Sequence, residues 1–180
     1  EAAETAGAEV RRVRLADYDI RFCTSCEMCR LTGACKIDDD LPEIAGMIAD
    51  ADGVIFGVDS YLRKADYRVQ AILDRLASYF ADNGQLRLPG FSESEVPSTP
   101  TAGATRRAVI ITACTSSAPV AAFLGYTSGP IRDLRQALGR SGIRTVGSLS
   151  VAGTGRTHYA LDQSARDKAR SLGRVLAGKI

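Results

Sequence analysis

The sequence predicts an α/β fold of the doubly wound class, in which helices cover both faces of a parallel sheet. Three short apolar runs, at residues 53–58, 108–114 and 145–152, have the composition of strands that are buried on both faces. A segment with helical periodicity follows each run. The chain has 180 residues, of which 45% are hydrophobic and 24% are charged. Because these values are typical of one globular domain with a full core, we predict a single domain over residues 1–180.

The first fifteen residues predict the end of a helix and then a strand. Residues 1–7 end in Gly7, a residue type that is common at the C-cap of a helix. Residues 9–15 alternate, with Val13 and Leu15 on one face and arginines on the other. A charged face protects an edge strand from pairing with another molecule, so we predict an edge strand here.

Four further helices are predicted from apolar residues at helical spacing. The first spans about 41–50 and the second follows residues 59–64. The third begins near Ser128 and ends at Gly142, and the fourth closes the chain. Their apolar stripes are, in chain order, Leu41, Ile44, Ala45 and Ile48; Val69, Ile72, Leu73, Leu76, Ala77 and Phe80; Ile131, Leu134 and Leu138; and Leu161, Ala165, Ala169, Leu172 and Val175.

Three consecutive acidic residues, Asp38 to Asp40, precede the helix at 41–50. They could bind a cation, but negative charge at a helix N-terminus is stabilising by itself, which favours a capping role. Asp40 and Glu43 have the spacing of a capping box, in which each side chain accepts a backbone N–H of the first turn.

Four of the five cysteines lie close together in the segment 21–37. Cys23, Cys26, Cys29 and Cys35 are spaced C-x2-C-x2-C-x5-C. Thiolates are soft ligands, and four of them in one loop are typical of iron–sulfur clusters. Zinc is an alternative, although its usual pattern is two separated C-x-x-C pairs, and free thiols are another. The fifth, Cys114, is predicted to be a buried core thiol.

Composition excludes several classes of protein. The net charge is only +2, and no basic patch with interleaved aromatic residues indicates binding to nucleic acid. No apolar run approaches the length of a membrane span. Clustered cysteines in odd number favour a reducing compartment, so we expect the cytoplasm. Residues 89–105 are rich in Pro, Ser and Thr and form a long loop, which is either a lid or partner arm or a disordered linker.

One site is expected from the topology. Residues 59–64 follow the first apolar run, and open α/β sheets bind ligands beyond the carboxyl ends of their strands. We find no G-x-S-x-G elbow that would present a nucleophile, so no catalytic side chain is assigned.

Together these features resemble the flavodoxin-like NAD(P)H-dependent FMN reductase superfamily, and in particular its iron–sulfur flavoprotein branch. The segments that carry the resemblance are the cysteine loop, Asp38–Asp40, Ala51–Gly57, Tyr61 and Ile72–Arg75, over residues 1–80. The resemblance implies a five-stranded parallel sheet with FMN at its carboxyl edge. It also implies electron transfer from a nicotinamide (NADH or NADPH) or ferredoxin donor, through FMN and any cluster, to an acceptor. Homodimers or homotetramers are implied as well.

The resemblance also assigns roles to residues. Cys23, Cys26, Cys29 and Cys35 would hold a [4Fe–4S] cluster. The flavin-binding residues would be Asp59, Ser60, Tyr61, Leu62 and Arg63, with the last four flanking the isoalloxazine and Thr115 and Ser116 beneath it. These assignments leave open two rival functions: an FMN-only NAD(P)H reductase of quinones or similar small acceptors, and a non-catalytic α/β module held together by zinc.

Two departures from the family pattern matter. Asp59 stands where the flavin loop usually has proline, and Arg63 stands where it has glycine. The arginine either stabilises negative charge on reduced flavin or fills the site. The family's opening strand and phosphate loop do not occur in this sequence, and we expect them to precede Glu1 in the native chain.

Overall fold

The computed structural model describes residues 1–32, 35–80, 106–157 and 160–178. Its sheet has the strand order β2-β1-β3-β4. Strand β1 (Gly53–Tyr61) is parallel to β3 (Arg107–Cys114), which is parallel to β4 (Arg144–Ala152), while the two-residue β2 (Lys64–Ala65) pairs antiparallel with the end of β1. The three apolar runs are therefore strands, and the predicted α/β fold is confirmed.

Seven helices accompany the sheet in the described ranges. They are α1 (Ala2–Thr5), α2 (Met28–Thr32), α3 (Leu41–Asp50), α4 (Tyr67–Leu76), α5 (Ala118–Leu124), α6 (Ser128–Arg140) and α7 (Gln163–Ala177). Short 3-10 turns occupy Leu15–Asp17, Ala77–Tyr79 and Thr154–Thr157. The four predicted helices are thus confirmed as α3, α4, α6 and α7, whereas α5 was not predicted.

Helices pack on both faces of β3, which is why this strand is the most deeply buried. Val109 and Ile110 point to opposite faces and are both fully buried. Ile110 belongs to a core that also contains buried residues of α3, α4 and α6. On the other face, α7 packs against β3 and β4 and is itself covered by α1.

Gly7 ends α1 as predicted. Its φ of 89° lies in the left-handed region that favours glycine. The N–H of Ala8 donates to the carbonyl of Ala3 at 3.0 Å, and the N–H of Gly7 donates to Glu4 at 2.9 Å. These two bonds are the Schellman pattern, which satisfies the last carbonyls of a helix.

The predicted edge strand at residues 9–15 is wrong. Residues 8–14 have no regular secondary structure, and a 3-10 turn begins at Leu15. A strand exists only where a neighbour accepts its hydrogen bonds, and alternation in the sequence does not supply one. The described residues consequently form a sheet of four strands, one of them antiparallel, rather than the five parallel strands that the resemblance implies.

The expectation that all three apolar runs are buried on both faces is also wrong for two of them. In β1, Phe56 and Val58 face the core, whereas Ile55, which precedes Phe56, is 45% exposed. In β4 only Leu149 is buried, because β4 lies at the edge of the sheet. Burial on both faces therefore belongs to β3 alone among these strands.

The capping box predicted for α3 does not form. Asp40 occupies the N-cap position without a side-chain bond to the helix. Its Oδ2 accepts instead from the N–H of Asp19 at 2.6 Å, while Oδ1 of Asp39 accepts from the N–H of Leu41. The acidic residues thus connect α3 to the segment before the cysteines.

No helix among the described residues has the length and apolar character needed to cross a bilayer. The predicted loop at 89–105 lies outside the described residues.

Candidate functional site

The predicted flavin loop forms a tight hairpin at the carboxyl end of β1. Ser60 and Tyr61 pair with Ala65 and Lys64, so Leu62 and Arg63 make a two-residue turn. Their φ values are 45° and 69°, and a turn with positive φ at both central positions suits the twist of a hairpin but favours glycine and asparagine. Leu62 and Arg63, the second of which stands where the family has glycine, are therefore held in a conformation that costs energy for a residue with a side chain.

Contacts with α6 hold this hairpin in place. A Cβ built on Gly129 would lie 2.4 Å from the carbonyl oxygen of Arg63, so only glycine fits there. Lys64 Nζ lies 3.0 Å from Asp133 Oδ2, and the Ser60 hydroxyl donates to the carbonyl of Tyr126. The start of α6 and the turn before it thus fix the backbone of the hairpin.

Thr115 and Ser116 follow β3 at the same edge of the sheet, because β1 and β3 are parallel with Asp59 opposite Ala113. The carbonyl of Ser116 accepts from the N–H of Gly153 at 2.7 Å. The structure brings the ends of β1, β3 and β4 to one edge, with Thr115 exposed and Tyr61 75% exposed.

A cavity of about 520 Å³ opens beside the hairpin. Aromatic rings contribute much of its wall: Phe22, Tyr61 and Tyr67, with the rings of Phe22 and Tyr67 6.3 Å apart. Its volume lies in the range of ligand sites, which are typically apolar with a few polar groups. Sequence reasoning did not find Phe22 or Tyr67, and isolated aromatic residues carry no signal that would reveal their proximity.

The four clustered cysteines line a second, smaller cavity of about 40 Å³. Cys23 and Cys26 are exposed, Cys29 is half-buried and Cys35 is buried. The segment is not a loop throughout, because α2 begins at Met28 between the second and third cysteines. Phe22, which lines the first cavity, and Cys23, which lines the second, are consecutive in the chain.

Hydrogen bonds join the residues just before the cysteine segment to those just after it. The N–H of Asp40 donates to the carbonyl of Asp19 at 3.0 Å, and the N–H of Arg21 donates to Asp39 Oδ2 at 2.9 Å. Ile20, between them, is buried in the core. The cysteines therefore lie on an excursion whose two ends are fastened to each other and to the core.

Hydrogen-bond donors contact the sulfurs of Cys23 and Cys26. The N–H of Ser25 donates to Cys23 Sγ at 3.4 Å. The N–H of Met28 lowers the pKa of Cys26, and the Thr24 side chain adds to this effect, since both bond to the thiolate. Donors of this kind suit a thiolate-bound centre. Among the residues that the structure describes, however, no three cysteine, histidine or carboxylate groups converge closely enough to bind one metal ion.

Arg75 connects the cysteine segment to the core. Its side chain is 1% exposed and pairs with Asp39, whose side chain is fully buried, at 2.5 Å and 3.0 Å. The guanidinium also donates to Cys35 Sγ at 3.4 Å, to the Arg21 carbonyl at 2.8 Å and to the Tyr79 hydroxyl at 3.3 Å. The structure thus gathers Cys35, Asp39 and Tyr79 around one buried cation.

The charges in this group shift its pKa values. Burial alone lowers the pKa of Arg75, but its bonds to Asp39 and Cys35 outweigh burial and raise it. Burial likewise raises the pKa of Asp39, and the bond from Arg75 then takes it below its usual range. Burial raises the pKa of Tyr79 to about 12. Arg75 and Asp39 are therefore both charged at neutral pH, and Tyr79 is a neutral phenol.

Sequence reasoning missed this group as a unit, although a signal was present. Arg75 lies three residues after Ile72 and one before Leu76, on the apolar stripe of α4. A charged residue on such a stripe must find a buried partner. Asp39 was considered only as a helix cap or cation ligand, and its partner lies 36 residues away.

The model of the NADPH-dependent FMN reductase family matches residues 1–87 of this chain. The first part of the chain is therefore similar to that family. An iron–sulfur flavoprotein of Methanocaldococcus jannaschii is 35% identical over 69 residues, which are 38% of this chain and 36% of the relative. One of Archaeoglobus fulgidus is 31% identical over 88 residues, 49% of this chain and 42% of the relative. The resemblance inferred from the sequence is therefore confirmed, as is its iron–sulfur flavoprotein branch.

The chain spans less than half the length of these iron–sulfur flavoproteins in the matched segments. Solved structures also match nearly all of the chain. A flavone reductase has a TM-score of 0.68 at 16% identity, covering 98% of this chain and 54% of its own. An NAD(P)H:quinone oxidoreductase from Methanothermobacter marburgensis has a TM-score of 0.61 at 14% identity, covering 98% and 81%. At such identities these structures show the fold, which is flavodoxin-like.

Proposed function

We propose that the chain is an FMN-dependent oxidoreductase that transfers electrons between a nicotinamide or ferredoxin donor, FMN and a [4Fe–4S] cluster. The observation that carries the proposal is that Cys23, Cys26, Cys29 and Cys35 line one cavity within the segment that the FMN reductase family model matches. Two further facts support it: the sulfurs accept N–H groups, and relatives of the segment are named as iron–sulfur flavoproteins.

In this proposal FMN supplies the chemistry that couples a two-electron donor to a one-electron carrier, and the protein binds and orients it. Asp59 and the hairpin Ser60–Arg63 would hold one side of the flavin, and Thr115 and Ser116 the side below. Exposed polar groups at the ends of two parallel strands suit such a ligand. The four cysteines would hold the cluster by their thiolates, in a segment that also carries Phe22 of the larger cavity.

The first experiment measures iron, acid-labile sulfide, zinc and FMN on the full-length protein purified without oxygen, together with its visible spectrum. We expect about four irons, four sulfides and one FMN per chain, as a four-thiolate cluster and one flavin require. Cys29→Ser should lose the iron and retain FMN. Cys114→Ser is the matched control, because Cys114 is a buried thiol at the end of β3, and this variant should retain both.

One observation favours a second candidate, the FMN-only NAD(P)H reductase of quinones or small acceptors. The cavity between the cysteines holds about 40 Å³, little more than one water molecule occupies. FMN without iron would select this candidate and leave the cysteines as thiols. One zinc per chain without FMN would instead select the non-catalytic module.

We further propose that the protein acts with small-molecule or protein electron donors and acceptors as a homodimer or homotetramer. The proposed compartment is the cytoplasm, since five free thiols persist in a reducing environment. Light scattering on the purified full-length protein measures the oligomeric state, and a monomer at micromolar concentration would contradict that part.

A further inference from the structure

The guanidinium of Arg75 uses every one of its donors. Nη1 donates to Asp39 Oδ2 and to the Arg21 carbonyl, while Nη2 donates to Asp39 Oδ1 and to the Tyr79 hydroxyl. An arginine has five N–H groups in a rigid planar fork, so four bonds of this kind fix its position and orientation. The fifth donor, Nε–H, points at Cys35 Sγ at 3.4 Å.

We propose that Arg75 is a positioning and tuning residue for the cluster: it holds the Cys35 thiolate with a buried cationic donor and raises the reduction potential of the centre. The inference deepens the proposed function and depends on it. It concerns one sulfur in particular, because Cys35 is the buried cysteine of the four, whereas Cys23 and Cys26 are exposed to water.

The sign of the effect follows from electrostatics. Reduction adds an electron to the centre, and N–H donors or positive charge near a ligand sulfur favour that electron. The effect is strong where water is excluded, and the side chains of Arg75 and Asp39 are 1% and 0% exposed. The carboxylate of Asp39 has the opposite effect on the reduction potential, since it pairs with the same guanidinium and offsets part of its positive charge.

A purely structural role makes a different prediction. If Arg75 and Asp39 only fastened the cysteine segment to α4, losing either partner would loosen the segment and admit water to the cluster. Both variants would then move the reduction potential in the same direction. Opposite shifts therefore separate tuning from mere support.

The experiment measures the reduction midpoint of the cluster by redox titration in full-length protein, followed by electron paramagnetic resonance, in three variants. Arg75→Lys keeps a cation but loses the planar fork, and we expect its reduction equilibrium constant to fall about tenfold, or ~59 mV for one electron. Asp39→Asn should raise the constant. Tyr79→Phe, which removes only the hydroxyl partner of Nη2, should change it less than about twofold.

Each outcome decides the inference. Opposite shifts in Arg75→Lys and Asp39→Asn support it, and so does loss of iron from a folded Arg75→Lys while Asp39→Asn keeps its iron. Parallel shifts, parallel loss of iron, or unfolding of both variants overturn it and leave the proposed function intact. Wild-type protein without iron overturns the proposed cluster and this inference together.

Discussion

Gly129 allows the close approach of α6 to the hairpin, and replacing it with alanine tests that contact. The new Cβ would lie 2.4 Å from the Arg63 carbonyl oxygen and 3.3 Å from its carbon. Both are backbone atoms of a turn with positive φ, which cannot rotate away as a side chain would. The hairpin or the helix must therefore shift by several tenths of an ångström.

The magnitude follows from two opposing effects. Overpacking a well-packed contact costs about 1–3 kcal/mol. Alanine in a helix recovers about 0.5–1 kcal/mol relative to glycine, because it restricts the unfolded chain. We therefore expect Gly129→Ala to lower the free energy of unfolding by about 1–2 kcal/mol.

The matched control is Gly139→Ala in the same helix. Nothing lies within 4 Å of a Cβ at Gly139, so only the gain in helix propensity remains. This control should raise the free energy of unfolding by about 0.5–1 kcal/mol. Urea denaturation of both variants provides the measurement, with equal m-values as the check that both unfold in the same way.

A second readout connects this contact to function. If Ser60–Arg63 hold the flavin, displacing the turn in Gly129→Ala should weaken FMN binding, and Gly139→Ala should bind it like the wild type. Fluorescence titration of apoprotein with FMN measures both. The reasoning is refuted if Gly129→Ala is at least as stable as Gly139→Ala.

Three further predictions concern charged and phenolic groups. Arg75 holds the pKa of Asp39 below its ordinary 3.8, so the stabilisation from this pair is complete above pH 3.8 and is lost as the pH falls through the lowered pKa. Asp39→Asn should lower the free energy of unfolding by about 3 kcal/mol at pH 7, and its stability in urea should lack this acid dependence. Tyr79, with a pKa of about 12 against an ordinary 10.0, should give a high-pH phase in an ultraviolet titration. Its stabilisation should disappear as pH rises from 10 to 12, and Tyr79→Phe should remove that phase. Lys64→Ala should cost less than about 1 kcal/mol, since its pair with Asp133 is 66% exposed on the lysine side, and a larger loss would mean that the hairpin depends on this ion pair.

Helices α3, α4, α6 and α7 could be predicted from the sequence because helical periodicity is a local property. Leu134 and Leu138, four residues apart, are both fully buried on α6, and Gly142 follows that helix with a φ of 73°. Such a pattern shows which face of a helix packs against the core, and it can be read without knowing which other elements form that core.

The burial of strands depends instead on their place in the sheet. Ile55 and Val109 occupy similar apolar runs, yet one is 45% exposed and the other fully buried. The difference is that α7 packs against β3 and β4, whereas one face of β1 has no such cover among the described residues. A run of apolar residues identifies a strand and leaves its neighbours undetermined. The same reason explains why alternation at 9–15 produced no strand.

The candidate site divides in the same way. The spacing of the four cysteines was enough to predict that they lie near one another, because residues a few positions apart in the chain cannot lie far apart in space. Arg75 approaches Cys35 across 40 residues, and no local pattern predicts such a contact. The charged position on the apolar stripe of α4 required a buried partner without identifying it. Asp39, placed by the hydrogen bonds that close the cysteine segment, is that partner. The same carboxylate therefore closes the segment that carries the sulfurs and orients the guanidinium beside Cys35, so the packing of α4 and the position of this buried cysteine depend on each other.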